Sequence, residues 1–211
     1  MKALGLLEVY SFTTALCVAD VCAKAADVKV IAFDRNRPIR TDVPAPLVME
    51  VKIEGATSAV EAAVKAGEEY AKKEGKFIVS HVIAHPDDRT EPIAYIMDIN
   101  RDKFNKKLKK TAPEADPNAQ YGAIGIIEIQ GLVAAISGLD EMLKAADVRV
   151  IHTEKRLGGR LVTFIVTGSV SAVKAANEAG CTNASKLGEV FGCEVIARPH
   201  PELMKFFDLE V

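Results

Sequence analysis

The side chains that could do chemistry in this chain fall into three groups. The first is four cysteines, Cys17, Cys22, Cys181 and Cys193, none in a C-x-x-C pair. Cys17 and Cys22 lie five apart in a helical segment, about 140° apart around its axis, and cannot easily share a metal. All four read as small, half-buried core residues in a reducing cytoplasm. The second group is the histidines. His81 and His85 lie four apart, but on a strand and its end, which separates them by about 13 Å, too far for one metal. The third is a repeat-related pair of carboxylates, Glu8 and Glu128, each inside a short apolar run. General acid–base work could use such groups, but on a strand they read as satisfied structural carboxylates. There is no G-x-S-x-G, no Walker-type loop and no H-E-x-x-H. No metal site, cofactor or catalytic residue is assigned.

Two clusters of positive charge remain. Arg35, Arg37 and Arg40 crowd one loop, with Asp34 and Asp42 beside them. Either they form a constriction that favours anions, or they are a solvated loop. Residues 100–110, with Lys103, Lys106, Lys107, Lys109 and Lys110, read as a short basic helix with a solvated face. The formal net charge of the whole chain is −2, which argues against a nucleic-acid or membrane partner held by bulk charge. Apolar residues make up 49% and charged residues 27%, a well-folded composition. Glu8 interrupts the first apolar run too early for a signal peptide, and no stretch approaches about 20 apolar residues. A cytoplasmic protein is expected.

Internal repetition organises these residues. Ala3–Val9 matches Ala123–Ile129 at an offset of 120, held without a gap to Ile31 against Ile151. The offset then drops to 113: Gly55 meets Gly168, Val60 meets Val173 and Pro86 meets Pro199. One length change of seven residues falls between Asp34 and Val48, and the first copy has the longer loop. Each copy predicts strand, helix, strand, strand, helix, strand. In copy one these are 2–9, 12–26, 28–34, 47–54, 57–74 and 77–84. In copy two they are 122–129, 132–146, 148–154, 161–167, 170–187 and 190–197. Ser11 is expected to cap the first helix. Gly75 and Gly188 are expected to close the second and fourth. Pro201–Phe207 reads as a short terminal helix whose phenylalanines dock on the body. The order is that of a ferredoxin-like split β-α-β unit, so the fold class is α+β. The domains are 1–86 and 122–211, joined by a connecting helix and linker over 87–121.

One family carries these residues almost end to end. The second copy has Gly125-Ile-Ile-Glu128, Ala145-Ala-Asp-Val148, Glu154-Lys155 then Gly158-Gly159, Gly168–Ala176, and Val195-Ile-Ala-Arg-Pro-His200. The chain resembles the tandem-domain shell proteins of bacterial microcompartments, of the unpermuted type. The resemblance implies a homotrimer with pseudo-sixfold symmetry that tiles with other shell proteins around encapsulated enzymes. It implies a central pore lined by the loop between the second and third strands. Those residues are Arg37, Pro38, Ile39, Arg40 and Thr41 in copy one, and Leu157, Gly158 and Gly159 in copy two. Small anionic metabolites are the expected solutes. It also implies lattice-edge residues at Lys24, Lys144, Arg198 and His200, with His85 and Asp87 departing from the pattern in copy one. Some tandem relatives hold an iron–sulfur cluster through a loop cysteine. Neither loop here has one, so none is expected. The alternative reading is a trimeric small-molecule-binding regulator of ferredoxin-like fold, and a third is an enzyme of that fold.

Overall fold

Apolar alternation makes the strands and its 3.6-residue period makes the helices. In the computed structural model, which describes residues 2–87, 99, 115–116, 119–155 and 157–207, they form two compact units, Met1–Ala115 and Asp116–Val211. Unit one runs β1 (Ala3–Tyr10), α1 (Phe12–Ala25), β2 (Val28–Asn36), β3 (Val48–Gly55), α2 (Thr57–Lys73) and β4 (Phe77–Ile83). Unit two runs β5 (Ala123–Gln130), α3 (Leu132–Ala145), β6 (Val148–Glu154), β7 (Leu161–Gly168), α4 (Val170–Ala184), β8 (Val190–Ile196) and the short α5 (Pro201–Met204). Each sheet has four antiparallel strands, ordered β2-β3-β1-β4 and β6-β7-β5-β8. The α+β, split β-α-β architecture read from the repeat is therefore the one observed.

Each sheet packs its helices on one face. In unit two Ile127, Ile129, Val162, Phe164 and Val166 meet Ala134, Ala135, Met142 and Ala176 of α3 and α4 in one core. Side chains alternate along a strand, so Glu128 and Thr163 point to the opposite face. There the C-terminal segment supplies cover: Leu203, Met204 and Phe207 are buried, and Phe207 lies 5.3 Å from the His152 ring.

Three expectations differ in detail, and a fourth is not tested. Ser11 makes no capping hydrogen bond through its side chain; it adopts φ 75°, as its repeat partner Gly131 adopts φ 101°. The two closing glycines act differently. Gly75 takes φ 66° just past α2, whereas a Cβ on Gly188 would lie 2.4 Å from the Gln130 carbonyl oxygen. The cysteines are not four free thiols. Cys181 and Cys193 form a disulfide between α4 and β8, and Cys17 and Cys22 are buried thiols outside it. Half-buried chemistry could not forecast this, because the pairing needs the α4–β8 crossover to bring positions 12 apart together. The basic segment 100–110 lies outside the described residues.

A methyl group fits differently at the two glycines. Gly188→Ala pushes a Cβ into backbone, an overpacking cost of about 1–3 kcal/mol. Gly75→Ala meets open space and pays only for its backbone angle, about 1 kcal/mol. Urea unfolding is expected to rank Gly188→Ala as the more destabilised.

Candidate functional site

The loops between the second and third strands rest on a fixed frame. In unit one β2 and β3 pair out to Asn36 opposite Val48. The Ser11 backbone N–H donates to the Leu47 carbonyl at 3.0 Å, where the loop rejoins the sheet. In unit two the equivalent Gly131 N–H donates to the Arg160 carbonyl at 2.9 Å. Both loops thus return beside the strand–helix corner of their own copy.

A charged cluster stands at the foot of the longer loop, on the sheet face away from the helices. Lys52 Nζ lies 2.8 Å from Asp34 Oδ2 and 3.5 Å from Glu50 Oε2, and Glu50 lies directly across from Glu8 on β1. Lys52 and Asp34 are both buried. Burial pushes the Glu50 carboxyl up, Lys52 opposes that shift, and Asp34 and Glu8 add to it. In unit two the repeat puts Thr163 at the Glu50 position and Ile165 at the Lys52 position. Glu128 and Glu154 stay buried there. The buried lysine of unit two comes instead from the C-terminal segment: Lys205 lies 2.5 Å from Glu202.

Above the cluster, Asn36–Asp42 is almost wholly exposed, with Pro38 half-buried and Ile39 fully exposed at the tip. Arg40 holds Asp42 through two contacts, Nε to Oδ1 at 2.8 Å and a second through Nη2. That pairing holds the Asp42 carboxyl below its usual range. Of the two acids beside the arginines, Asp42 therefore offsets Arg40, while Asp34 is taken by Lys52. No ion pair is seen for Arg35 or Arg37 among the described residues.

The short loop has another construction. Gly158, Gly159 and Arg160 take φ 86°, 63° and 61° in succession, a left-handed turn. Gln130 Nε2 donates to the Gly159 carbonyl at 3.0 Å. The Leu157 side chain is buried in its own domain, so within 157–160 the open surface is Gly158, Gly159 and Arg160. Arg160 is the residue that sequence reasoning missed. A non-glycine in this backbone region is uncommon, and the only signal was its place directly after two glycines.

The expected edge residues sit at element ends. Lys24 and Lys144 close α1 and α3, each paired with the aspartate one turn earlier, Asp20 and Asp140. Arg198 is exposed just past β8. His200 caps α5, its Nδ1 accepting from the Glu202 N–H at 3.1 Å. In unit one the Arg198 position is His85, which shares a cleft of about 620 Å³ with Asp27, Lys29 and Glu54. Among the described residues no His, Cys, Asp and Glu group could hold a metal, and no helix is long and apolar enough to cross a membrane.

Residues 3–86 and 123–199 each match the BMC domain. The chain belongs to the BMC-domain family. It is a tandem member, a shell protein of bacterial microcompartments, and members of this kind are structural rather than enzymatic. The carboxysome assembly protein CcmO of Synechococcus elongatus is 31% identical over 202 residues, 96% of this chain and 67% of its own. The bacterial microcompartment shell protein PduA of Citrobacter freundii is 48% identical over 86 residues, 41% of this chain and 91% of its own. A solved microcompartments protein from Desulfitobacterium hafniense DCB covers 97% of this chain at 25% identity, with a TM-score of 0.39.

The cluster under the longer loop of this shell protein makes stability depend on pH with a definite sign. A carboxyl whose folded value is raised stabilises below the ordinary glutamate range and loses that contribution as pH rises through the raised value. Burial opposes the ionised form of Glu50. Glu50→Gln removes that cost and leaves Lys52 bonded to Asp34. The variant is expected to match or exceed the parent at pH 7 by less than about 1 kcal/mol, because solvent screens part of the effect. The advantage should disappear below about pH 4. Denaturant midpoints across pH 3–8 check it.

Proposed function

We propose that this shell protein assembles as a homotrimer with a pseudo-sixfold outline, each chain giving its two BMC domains to one ring. The domains are 1–86 and 122–211, with 87–121 connecting them. One observation carries the reading. On α1, Phe12, Thr13, Leu16 and Ala23 are between 0% and 6% exposed. The same four positions on α3 are Leu132, Val133, Ile136 and Leu143, and they are 63%, 74%, 57% and 46% exposed. The positions that are buried on α1 are thus exposed and apolar on α3. A contiguous apolar face of this kind marks a protein–protein contact. In a closed ring of alternating copies, the next chain supplies what α3 lacks.

In that ring the loops 36–42 and 157–160 face the axis and bound the pore. Arg35 and Arg37 then give six guanidinium groups per trimer that the loop's own acids do not offset. Rings of like charge favour solutes of opposite sign. The pore therefore passes small anions in preference to cations. Lys24, Lys144 and Arg198 lie on the outer edge, where lysine stems and guanidinium groups pack and hydrogen-bond between neighbouring trimers and with other shell proteins. His200 contributes there mainly by holding α5.

Light scattering is expected to give about three times the 22.7 kDa chain mass. Val133→Asp with Ile136→Asp should reduce it to one chain while far-UV circular dichroism stays unchanged. A monomeric parent at micromolar concentration would overturn the reading. In trimers that persist, Arg35→Glu with Arg37→Glu should reverse the preferred sign of solutes crossing a reconstituted shell.

A further inference from the structure

Subtracting 113 from Cys181 and Cys193 gives Glu68 and Ser80. Those two residues also touch: Ser80 Oγ donates to Glu68 Oε2 at 2.5 Å. Both copies therefore tie the second helix of the unit to its last strand at the same point. Copy one uses a hydrogen bond, and copy two uses a covalent bond between α4 and β8. Only the second tie can be made or broken by electron transfer.

We propose that Cys181 and Cys193 are a redox-active dithiol that exchanges with low-molecular-weight thiols and disulfides, and that this exchange sets the stability of the second domain. Four observations support it. Cys193 is exposed on edge strand β8, so a small disulfide can reach its sulfur. Cys181 is part-buried against the core of the unit, placed to resolve a mixed disulfide. The reduced form has an acceptor ready, since Cys193 Sγ lies 3.7 Å from the Asn177 carbonyl oxygen. The two remaining cysteines do not compete: both are buried, and burial pushes the Cys22 thiol up to about 12. Inside a bacterial cell such a bond meets a thiol buffer, where disulfides are transient and redox-sensing rather than fixed staples.

The step balances. The Cys193 thiolate attacks one sulfur of a small disulfide RSSR, forming a mixed disulfide and releasing RS⁻. The Cys181 thiolate then attacks the Cys193 sulfur and expels the second RS⁻. The two protein thiols lose two electrons and two protons, and RSSR takes both to become two RSH. The helix this controls is closely packed. A Cβ on Gly180, next to Cys181, would lie 2.3 Å from Met142 of α3, so α4 cannot shift without disturbing α3.

The test equilibrates the full-length protein in glutathione buffers from fully reduced to fully oxidised. Thiols are then trapped with N-ethylmaleimide in denaturant, and labels are counted by intact mass. The expected count falls from four to two in one step, and peptide mapping finds the Cys181–Cys193 link. Four labels throughout, glutathione retained on Cys193, or a link to Cys17 or Cys22 would overturn the proposal. Reduction should also lower the thermal midpoint of the parent by on the order of 10 °C. Cys181→Glu with Cys193→Ser, which writes the copy-one pair into copy two, should be indifferent to the buffer. If that variant does not fold, Cys193→Ser alone should carry three labels at every ratio and melt identically in all of them. An equal midpoint for the reduced and oxidised parent would also overturn the proposal.

Discussion

Each sheet has two faces and only one set of helices, and each helix-free face buries carboxylates that need a cation. Isolated buried charge costs several kcal/mol, so it persists only when it is paired. In unit one the cation is on the sheet itself: Lys52 on β3 bonds Asp34 on β2. In unit two the strand position is Ile165, and the buried lysine is Lys205, just past α5. Lys52 thus pairs with carboxylates of its own sheet, whereas Lys205 pairs with Glu202 of the C-terminal segment. That segment brings apolar cover with it, through Leu203, Met204 and Phe207.

Comparing repeat-related positions separates what the fold requires from how it is met. The corner after the first strand requires positive φ, and Ser11 accepts what Gly131 provides freely. The crossing of the second helix with the last strand requires a tie, made by Ser80 and Glu68 or by two cysteines. The stop of the second helix requires a glycine for its backbone angle at Gly75 and for close approach at Gly188. Chemically unrelated residues thus meet the same geometric demand. Strong local identity between copies marks other places, such as Ala145-Ala-Asp-Val148 against Ala25-Ala-Asp-Val28.

The order of elements and their core faces were legible in the sequence, because apolar period and repeat offset are local signals. Strand and helix limits moved by up to three residues, most at the ends of α4 and α5. What escaped depended on contacts between distant positions. The pairing of Cys181 with Cys193 appears only once α4 is laid against β8. The burial of Leu157 appears only once the Gly158–Arg160 turn directs that side chain inward. Arg40 looked like one of three equal arginines, yet a carboxylate two residues later takes both its contacts. Net charge along a loop does not say which charges stay available, since a short-range pair removes its members from the field.

The location of the length change has a mechanical cause. Seven residues can be added between β2 and β3 only if the frame on either side is fixed independently of the loop. Backbone bonds do this in both copies: Ser11 to Leu47, and Gly131 to Arg160. The second bond of each corner, Tyr10 N–H to the Lys76 carbonyl and Gln130 N–H to the Glu189 carbonyl, anchors the last strand to the same place. Loop length adds little closure entropy once the ends are held, about 0.6 kcal/mol per doubling. Insertions at this site therefore leave the sheet, the helices and the tie between α2 and β4 undisturbed. A duplicated domain can thus change the chemistry presented by one loop of each pair while keeping the sheet and helices that carry it.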